Sequence, residues 1–281
     1  MHILGESDIK AHIKNKTSYH TYFIFGNEHY LIKYYVKRLI EGAASENPDF
    51  NLNEFDSGSS VQDIYDAADS LPFMSDKKCV AVCDINFDKL SQNEFSKLIE
   101  LVESPSESTV LLFFFDVVEI NAKRLTERAK KLMNAIEKSG GCIVELFRKS
   151  TSELIKMLCE GATRRDCRME PTTARYLIEN CSDDLTTLIN ELEKLTAYCR
   201  EKGIITNADV DKICPKSIEV SIFNLSKMLL SKNLQGAYKI IDDLFYMRTE
   251  PVMILSILSS TYVDMYRAKT ANENGVRPDS L

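Results

Sequence analysis

Two aspartates, one glycine turn and four histidines are the residues whose type and place could carry chemistry in this 281-residue sequence. Asp84 closes the apolar run Cys79-Val80-Ala81-Val82-Cys83, and Asp116 closes the run from Thr109 to Phe115. An acid at a strand C-terminus can bind magnesium in a nucleotide-binding fold; it can equally cap the turn or helix that follows. A phosphate loop decides between the two, because phosphate and magnesium need the amides, Lys and hydroxyl of G-x-x-x-x-G-K-[ST] after the first strand. The corresponding stretch here is Gly26-Asn27-Glu28-His29-Tyr30-Leu31-Ile32. It has one Gly, no Lys-Ser or Lys-Thr pair, and an acid where phosphate charge would lie. The dinucleotide pattern G-x-G-x-x-G is missing as well. Asp84 and Asp116 therefore read as acidic strand ends or caps. The segment has the frame of a nucleotide-binding fold without its chemistry, which points to a non-catalytic module.

Other chemistry is thin. His2, His12, His20 and His29 all fall near the N-terminus, and none has metal-ligand spacing to a second His or to Cys. No G-x-S-x-G nucleophile elbow occurs. The eight cysteines (79, 83, 142, 159, 167, 181, 199 and 214) contain no C-x-x-C pair and sit mostly in apolar stretches, as reduced core residues do. Catalytic residues, metal and cofactor are each expected to be none. A net charge of −7 argues against an autonomous nucleic-acid binder, though not against a local basic strip. No apolar run reaches a membrane span, and His2 to Thr21 lacks a signal-peptide core, so the expected location is cytoplasmic.

The elements that must position these residues alternate between strand and helix in the first half. Tyr22 to Phe25 is an apolar strand closed by Gly26. Leu31, Tyr35 and Leu39 then share a helical stripe. Asn51 to Asp56 alternates as a strand does. Val61, Ile64, Ala68 and Leu71 mark a helix that stops at Pro72. After the strand at Cys79, Ser91 and Glu94 form a capping box for a helix buried through Phe95, Leu98 and Val102. A basic helix with Leu125, Ala129, Leu132 and Ile136 inside leads to a strand from Cys142 to Phe147. Short continuous apolar strands between helices predict a mostly parallel sheet covered on both faces. After Arg148 the strand signal vanishes. Ser150 and Glu153 open a helix, Pro171 the next, and a third carries Leu185, Leu188, Leu192, Leu195 and Cys199. Asn207 to Ile213 is a short closing helix. Three more helices follow, Val220 to Leu230, Leu234 to Met247, and Pro251 to about Ala271.

The residues also resemble a family, the delta subunit of the bacterial DNA polymerase III clamp loader. The resemblance is carried by Gly26-Asn27-Glu28 with Tyr30-Leu31-Ile32, and by Leu71-Pro72-Phe73-Met74-Ser75-Asp76-Lys77-Lys78 before the third strand. Further on come Asp183-Asp184-Leu185, Asn190-Glu191-Leu192-Glu193-Lys194-Leu195, Phe223-Asn224-Leu225 and Glu250-Pro251. Each is weak alone; their order over nearly the whole chain is specific.

The resemblance implies three domains. Residues 1–148 would form an α/β, AAA+ like domain without a phosphate loop, 149–215 a small all-α lid, and 216–281 a partial all-α collar for oligomerisation, shorter than the family's. It implies no catalysis in this chain but a place in a DNA-directed DNA polymerase holoenzyme, a nucleotidyltransferase complex, in DNA replication. The implied partners are the sliding clamp (beta subunit), the ATP-hydrolysing and delta-prime subunits of a hetero-pentamer, and primed DNA reached through the assembly. The implied action is to bind and open the clamp. From residue patterns alone, Leu71, Pro72, Phe73 and Met74 would be a helix end tucked into the core. The family places its clamp-binding element there, with Leu71 and Phe73 as anchors and Met74 beside them. Lys123, Arg124, Arg128, Lys130, Lys131 and Lys138 would be a solvated face or a contact with DNA or a neighbouring subunit. Arg164, Arg165 and Arg168 read as surface. Two other readings remain, an active AAA+ ATPase and a Rossmann-type cofactor enzyme, and neither has motif residues behind it.

Overall fold

The computed structural model describes residues 3–15, 19–118, 120, 125–215 and 218–274. The chain forms two compact units, residues 1–149 and 150–281. The first unit runs α1 (Glu6–Lys14), β1 (Thr21–Gly26), α2 (His29–Ala43), α3 (Pro48–Asn51), β2 (Leu52–Phe55) and α4 (Val61–Asp69). It continues with β3 (Lys78–Cys83), a 3-10 turn (Phe87–Lys89), α5 (Gln92–Glu103), β4 (Thr109–Phe114), α6 (Glu127–Lys138) and β5 (Cys142–Leu146). The sheet is wholly parallel in the order β2-β3-β4-β1-β5. Its strands are apolar on both sides because helices cover both. Phe23, Phe25, Val80, Val82, Leu111 and Phe113 join α4, α5 and α6 in one core. Strand alternation turns Tyr22, Ile24, Ala81 and Leu112 to the other face, where α2 packs.

Helix α1 has no counterpart in the sequence reading. It buries only Ile9, too little for a periodic signal, and is held by tertiary contacts instead. The Tyr35 hydroxyl donates to Glu6 at 2.8 Å, and Lys149 pairs with the same carboxylate. Just before α1, Leu4 exchanges backbone hydrogen bonds with β5 and covers that sheet edge.

The second unit holds α7 (Thr151–Thr163), β6 (Arg168–Met169), α8 (Pro171–Asn180), α9 (Leu185–Tyr198), β7 (Ile204–Ile205) and α10 (Asn207–Ile213). Helices α11 (Ile218–Leu230), α12 (Leu234–Tyr246) and α13 (Pro251–Glu273) follow. Leu154, Leu158, Leu177, Leu188, Leu192 and Leu195 are buried, as their spacing predicts. Among the described residues the region is helical apart from one parallel ladder, β6 with β7, of two residues each. Strands that short leave no alternation for a sequence reading to detect. A second core joins Ile222, Leu225, Ala237, Leu244 and Ile254 across α11, α12 and α13. Among the described residues no helix is long and apolar enough to cross a membrane.

Asp209, at the start of α10, gives this unit a pH signature. Burial works against its charge, but Lys202, at 2.6 Å, and the Thr206 hydroxyl and amide outweigh it and bring the carboxyl down to about 2. A carboxyl depressed on folding adds stability above its unfolded pKa and loses it as pH falls toward the folded value. Urea midpoints of the wild type should therefore fall between about pH 4 and pH 2. The slope should flatten in Asp209→Asn, whose stability is already lower at neutral pH.

Candidate functional site

At the carboxyl ends of β1 and β5 the backbone closes on itself. Gly26 has φ +141°, and a Cβ there would lie 2.0 Å from the Leu146 carbonyl oxygen, so the approach requires glycine. That carbonyl accepts the amides of Asn27 at 3.0 Å and Glu28 at 3.2 Å. Amides of this turn, which a phosphate loop would aim at its ligand, are thus spent on strand β5. The Asn27 side chain in turn accepts the Arg148 amide at 2.8 Å.

The two aspartates are spent as well. Asp84, at φ +54°, accepts the amides of Asp116, Val117 and Val118 at 2.9–3.1 Å. Burial opposes its ionisation, yet these amides and the Cys83 thiol hold its carboxyl below the usual range. Asp116 pairs with Lys33 at 2.9 Å and has the His29 ring nitrogen 3.8 Å away. Asp84 caps the segment after β4, and Asp116 ties that segment to α2. Among the described residues no group of three or more His, Cys, Asp or Glu is placed to hold a metal ion.

The opposite, amino edge of the sheet presents the second candidate. Helix α4 starts at Ser60, whose hydroxyl accepts the Asp63 amide at 3.2 Å, and buries Val61, Ile64 and Ala68. It ends at Asp69, two residues before the sequence reading places its end, because Ser70 turns extended with ψ 150°. Its last carbonyls are taken by the sheet. Lys78, itself buried, donates to the carbonyls of Ala67 and Ser70 and to the Ser70 hydroxyl, and Thr109 donates to Ala68 at 2.9 Å.

Beyond that anchor the chain runs outside the core. Leu71 is 86% exposed, Met74 79% and Phe73 48%, with Pro72 half-buried between them. A helix end tucked into the core is not what the chain forms here. Three residues with no role at this site in the sequence reading hold the loop. Asn51, fully buried, accepts the Phe73 amide at 2.7 Å and donates to the Phe73 carbonyl at 2.9 Å and to Glu46 at 2.8 Å. It closes α3 rather than starting the strand. Phe50, 67% exposed, sets its ring 4.9 Å from that of Phe73. Lys78 is the third, and the lysine opening an otherwise apolar strand was its one signal. Met74 itself sits at φ +46°, a strained region for its side chain, and Asn47 donates to its carbonyl at 3.4 Å.

The basic helix divides. Lys123 and Arg124 lie outside the described residues. Arg128 turns inward, donating to the carbonyls of Phe87 at 2.8 Å and Leu90 at 2.5 Å over the Phe95 ring. Lys130, Lys131 and Lys138 are exposed, Lys130 with Glu127 at 2.8 Å and Lys131 beside Phe95. Arg164, Arg165 and Arg168 each pair with a glutamate, Glu160, Glu193 and Glu170, on the surface.

Known proteins resemble this chain. A family model described as "DNA polymerase III, delta subunit" matches residues 22–145, and a second, "DNA polymerase III delta subunit, C-terminal domain", matches 219–281. The Bacillus subtilis (strain 168) DNA polymerase III subunit delta is 25% identical over 278 residues, 95% of this chain and 78% of that protein. The Aquifex aeolicus (strain VF5) protein described as "Probable DNA polymerase III subunit delta" is 24% identical over 90% of this chain and 72% of its own. In fold, the structure of the Bacillus subtilis DNA clamp loader delta protein (YqeN) superposes with a TM-score of 0.68 at 22% identity, covering 97% of this chain and 84% of that one. With the two family models together spanning more than half of its length, in the family's own order, the chain belongs to the DNA polymerase III delta subunit family.

Proposed function

We propose that this protein is the clamp-loader delta subunit of its polymerase, and that the Leu71–Met74 loop docks on the sliding clamp. The observation that carries the reading is an apolar loop left in solvent on a rigid mount. Exposed large apolar side chains are normally kept for a partner. The helix behind them is bolted to the sheet by Lys78 and Thr109, so the loop is offered without an ordering cost at binding. Leu71 and Phe73 fill an apolar pocket of the clamp, with Met74 adapting beside them and Pro72 stiffening the chain. The loader opens the ring by binding its open form more tightly, since a ligand shifts an equilibrium only through differential affinity.

No catalysis is assigned to this chain. ATP hydrolysis belongs to partner subunits of a hetero-pentamer with delta-prime, and the amides of Asn27 and Glu28, engaged by Leu146, support that division. Residues 149–215 act as the lid and 216–281 as the collar. The collar's contact is the face of α13 that exposes Leu255, Val263 and Tyr266 beside Tyr262. Lys130, Lys131 and Lys138, with Lys123 and Arg124, supply the basic strip toward primed DNA or a neighbouring subunit, whereas Arg128 serves the fold. The setting is cytoplasmic DNA replication.

Burial of Leu71 and Phe73 is worth about 1.5–3 kcal/mol each when complete. Leu71→Ala with Phe73→Ala should weaken clamp binding, followed by surface plasmon resonance, by about a hundredfold or more. The thermal midpoint should move little, because Leu71 is almost wholly in water and about half of Phe73 is. Normal binding by the folded double variant would place the anchor elsewhere. Magnesium-ATP should leave the thermal midpoint unchanged, and a saturable rise would instead revive an active ATPase. For the collar, Tyr262→Ser with Tyr266→Ser should lower co-elution with the other loader subunits while the chain alone still binds the clamp.

A further inference from the structure

The docking loop is not held by its own sequence alone. Lys78 pins its start at Ser70, but the residues that fix Phe73 come from α3, twenty-odd positions earlier, where Pro48 starts one helical turn and Asn51 ends it. Asn51 uses both ends of its amide on the backbone of one residue, accepting from the Phe73 N–H and donating to the Phe73 carbonyl. That pairing imitates a strand partner and specifies where Phe73 sits. A third hydrogen bond, to Glu46, fixes Asn51 in turn. Its neighbour Phe50 meets the Phe73 ring at 4.9 Å with a 40° tilt, yet leaves most of its own ring in solvent. A fully buried amide bound to an exposed loop, next to an exposed phenyl ring, is an arrangement that core packing does not require.

We infer that the α3 turn is the second half of the docking element: Asn51 is a positioning residue that fixes the backbone of Phe73, and Phe50 joins Phe73 in the apolar face offered to the clamp. The inference rests on the reading of Leu71–Met74 as the clamp anchor. Without Asn51 the loop samples other conformations and must be ordered at the moment of binding, which costs affinity though every anchor side chain remains. Without Phe50 the face loses one wall.

The test compares variants of the full chain against the purified sliding clamp, with the Leu71→Ala, Phe73→Ala protein in parallel. Asn51→Ala and Phe50→Ala should each weaken binding about tenfold. On a Phe73→Ala background the further effect of Asn51→Ala should shrink below about threefold, since the side chain it positions is gone. Loss of general stability would instead weaken both backgrounds alike. Amide exchange at Phe73 should speed up in Asn51→Ala while the core strands stay protected. Wild-type affinity in a folded Asn51→Ala or in Phe50→Ala overturns the inference while the anchor reading stands, provided the anchor variant has lost binding. Normal binding by the anchor variant overturns both. If Asn51→Ala does not fold, Phe50→Ala decides, because its largely exposed ring can be removed without unfolding the chain.

Discussion

A helix that ends under a surface loop leaves its last carbonyls without partners, and at the end of α4 two side chains of the sheet supply them. Lys78 and Thr109 are register partners across the β3–β4 ladder, so one strand pairing delivers both caps to the same helix end. Burying an ammonium group is costly, and burial pulls the Lys78 pKa down while Asp69 opposes it. Two carbonyls and a hydroxyl offset that cost, and the helix C-terminus adds its negative dipole end. The consequence is directional. With Ser70 pinned and Pro72 next, Leu71 cannot continue the buried stripe of α4 and is left in solvent.

The two edges of the same sheet have opposite fates. In parallel α/β folds ligands bind outside the carboxyl ends of the strands, and here that edge is internally satisfied. Gly26 and Leu146 are paired in the β1–β5 register, which brings the Leu146 carbonyl under the turn and uses the amides that would face a phosphate. Asp84 and Asp116 complete the closure by binding backbone and Lys33. The amino edge, normally the quiet one, carries the strained Met74, the exposed aromatic pair and the buried amide that serves them. The edge that closes on itself and the edge that mounts the loop thus lie at opposite ends of the same strands.

Much of this was legible beforehand. The continuous apolar strands, the capping boxes at Ser91 and Ser150 and the leucine stripe of α9 record local rules that hold wherever the chain goes. The missing phosphate loop was legible for the same reason, since its chemistry needs contiguous residues. Helix α1 and the β6–β7 ladder were not, being too short to leave a period. Arg128 shows the reverse error. Counted with its basic neighbours it looks like surface charge, and only the nearby carbonyls of Phe87 and Leu90 reveal an inward guanidinium.

The sequence by itself therefore determined most of the order of elements, the parallel sheet followed by helices, and the lack of a phosphate-loop motif at Gly26–Ile32. Hydrophobic period and motif spacing are properties of neighbouring residues, and they survive without coordinates. Whether Leu71 and Phe73 lie in the core or in water was decided only by the tertiary structure. That choice depends on Asn51 meeting a loop 22 positions away and Lys78 reaching back to Ala67, contacts between residues that no local pattern joins.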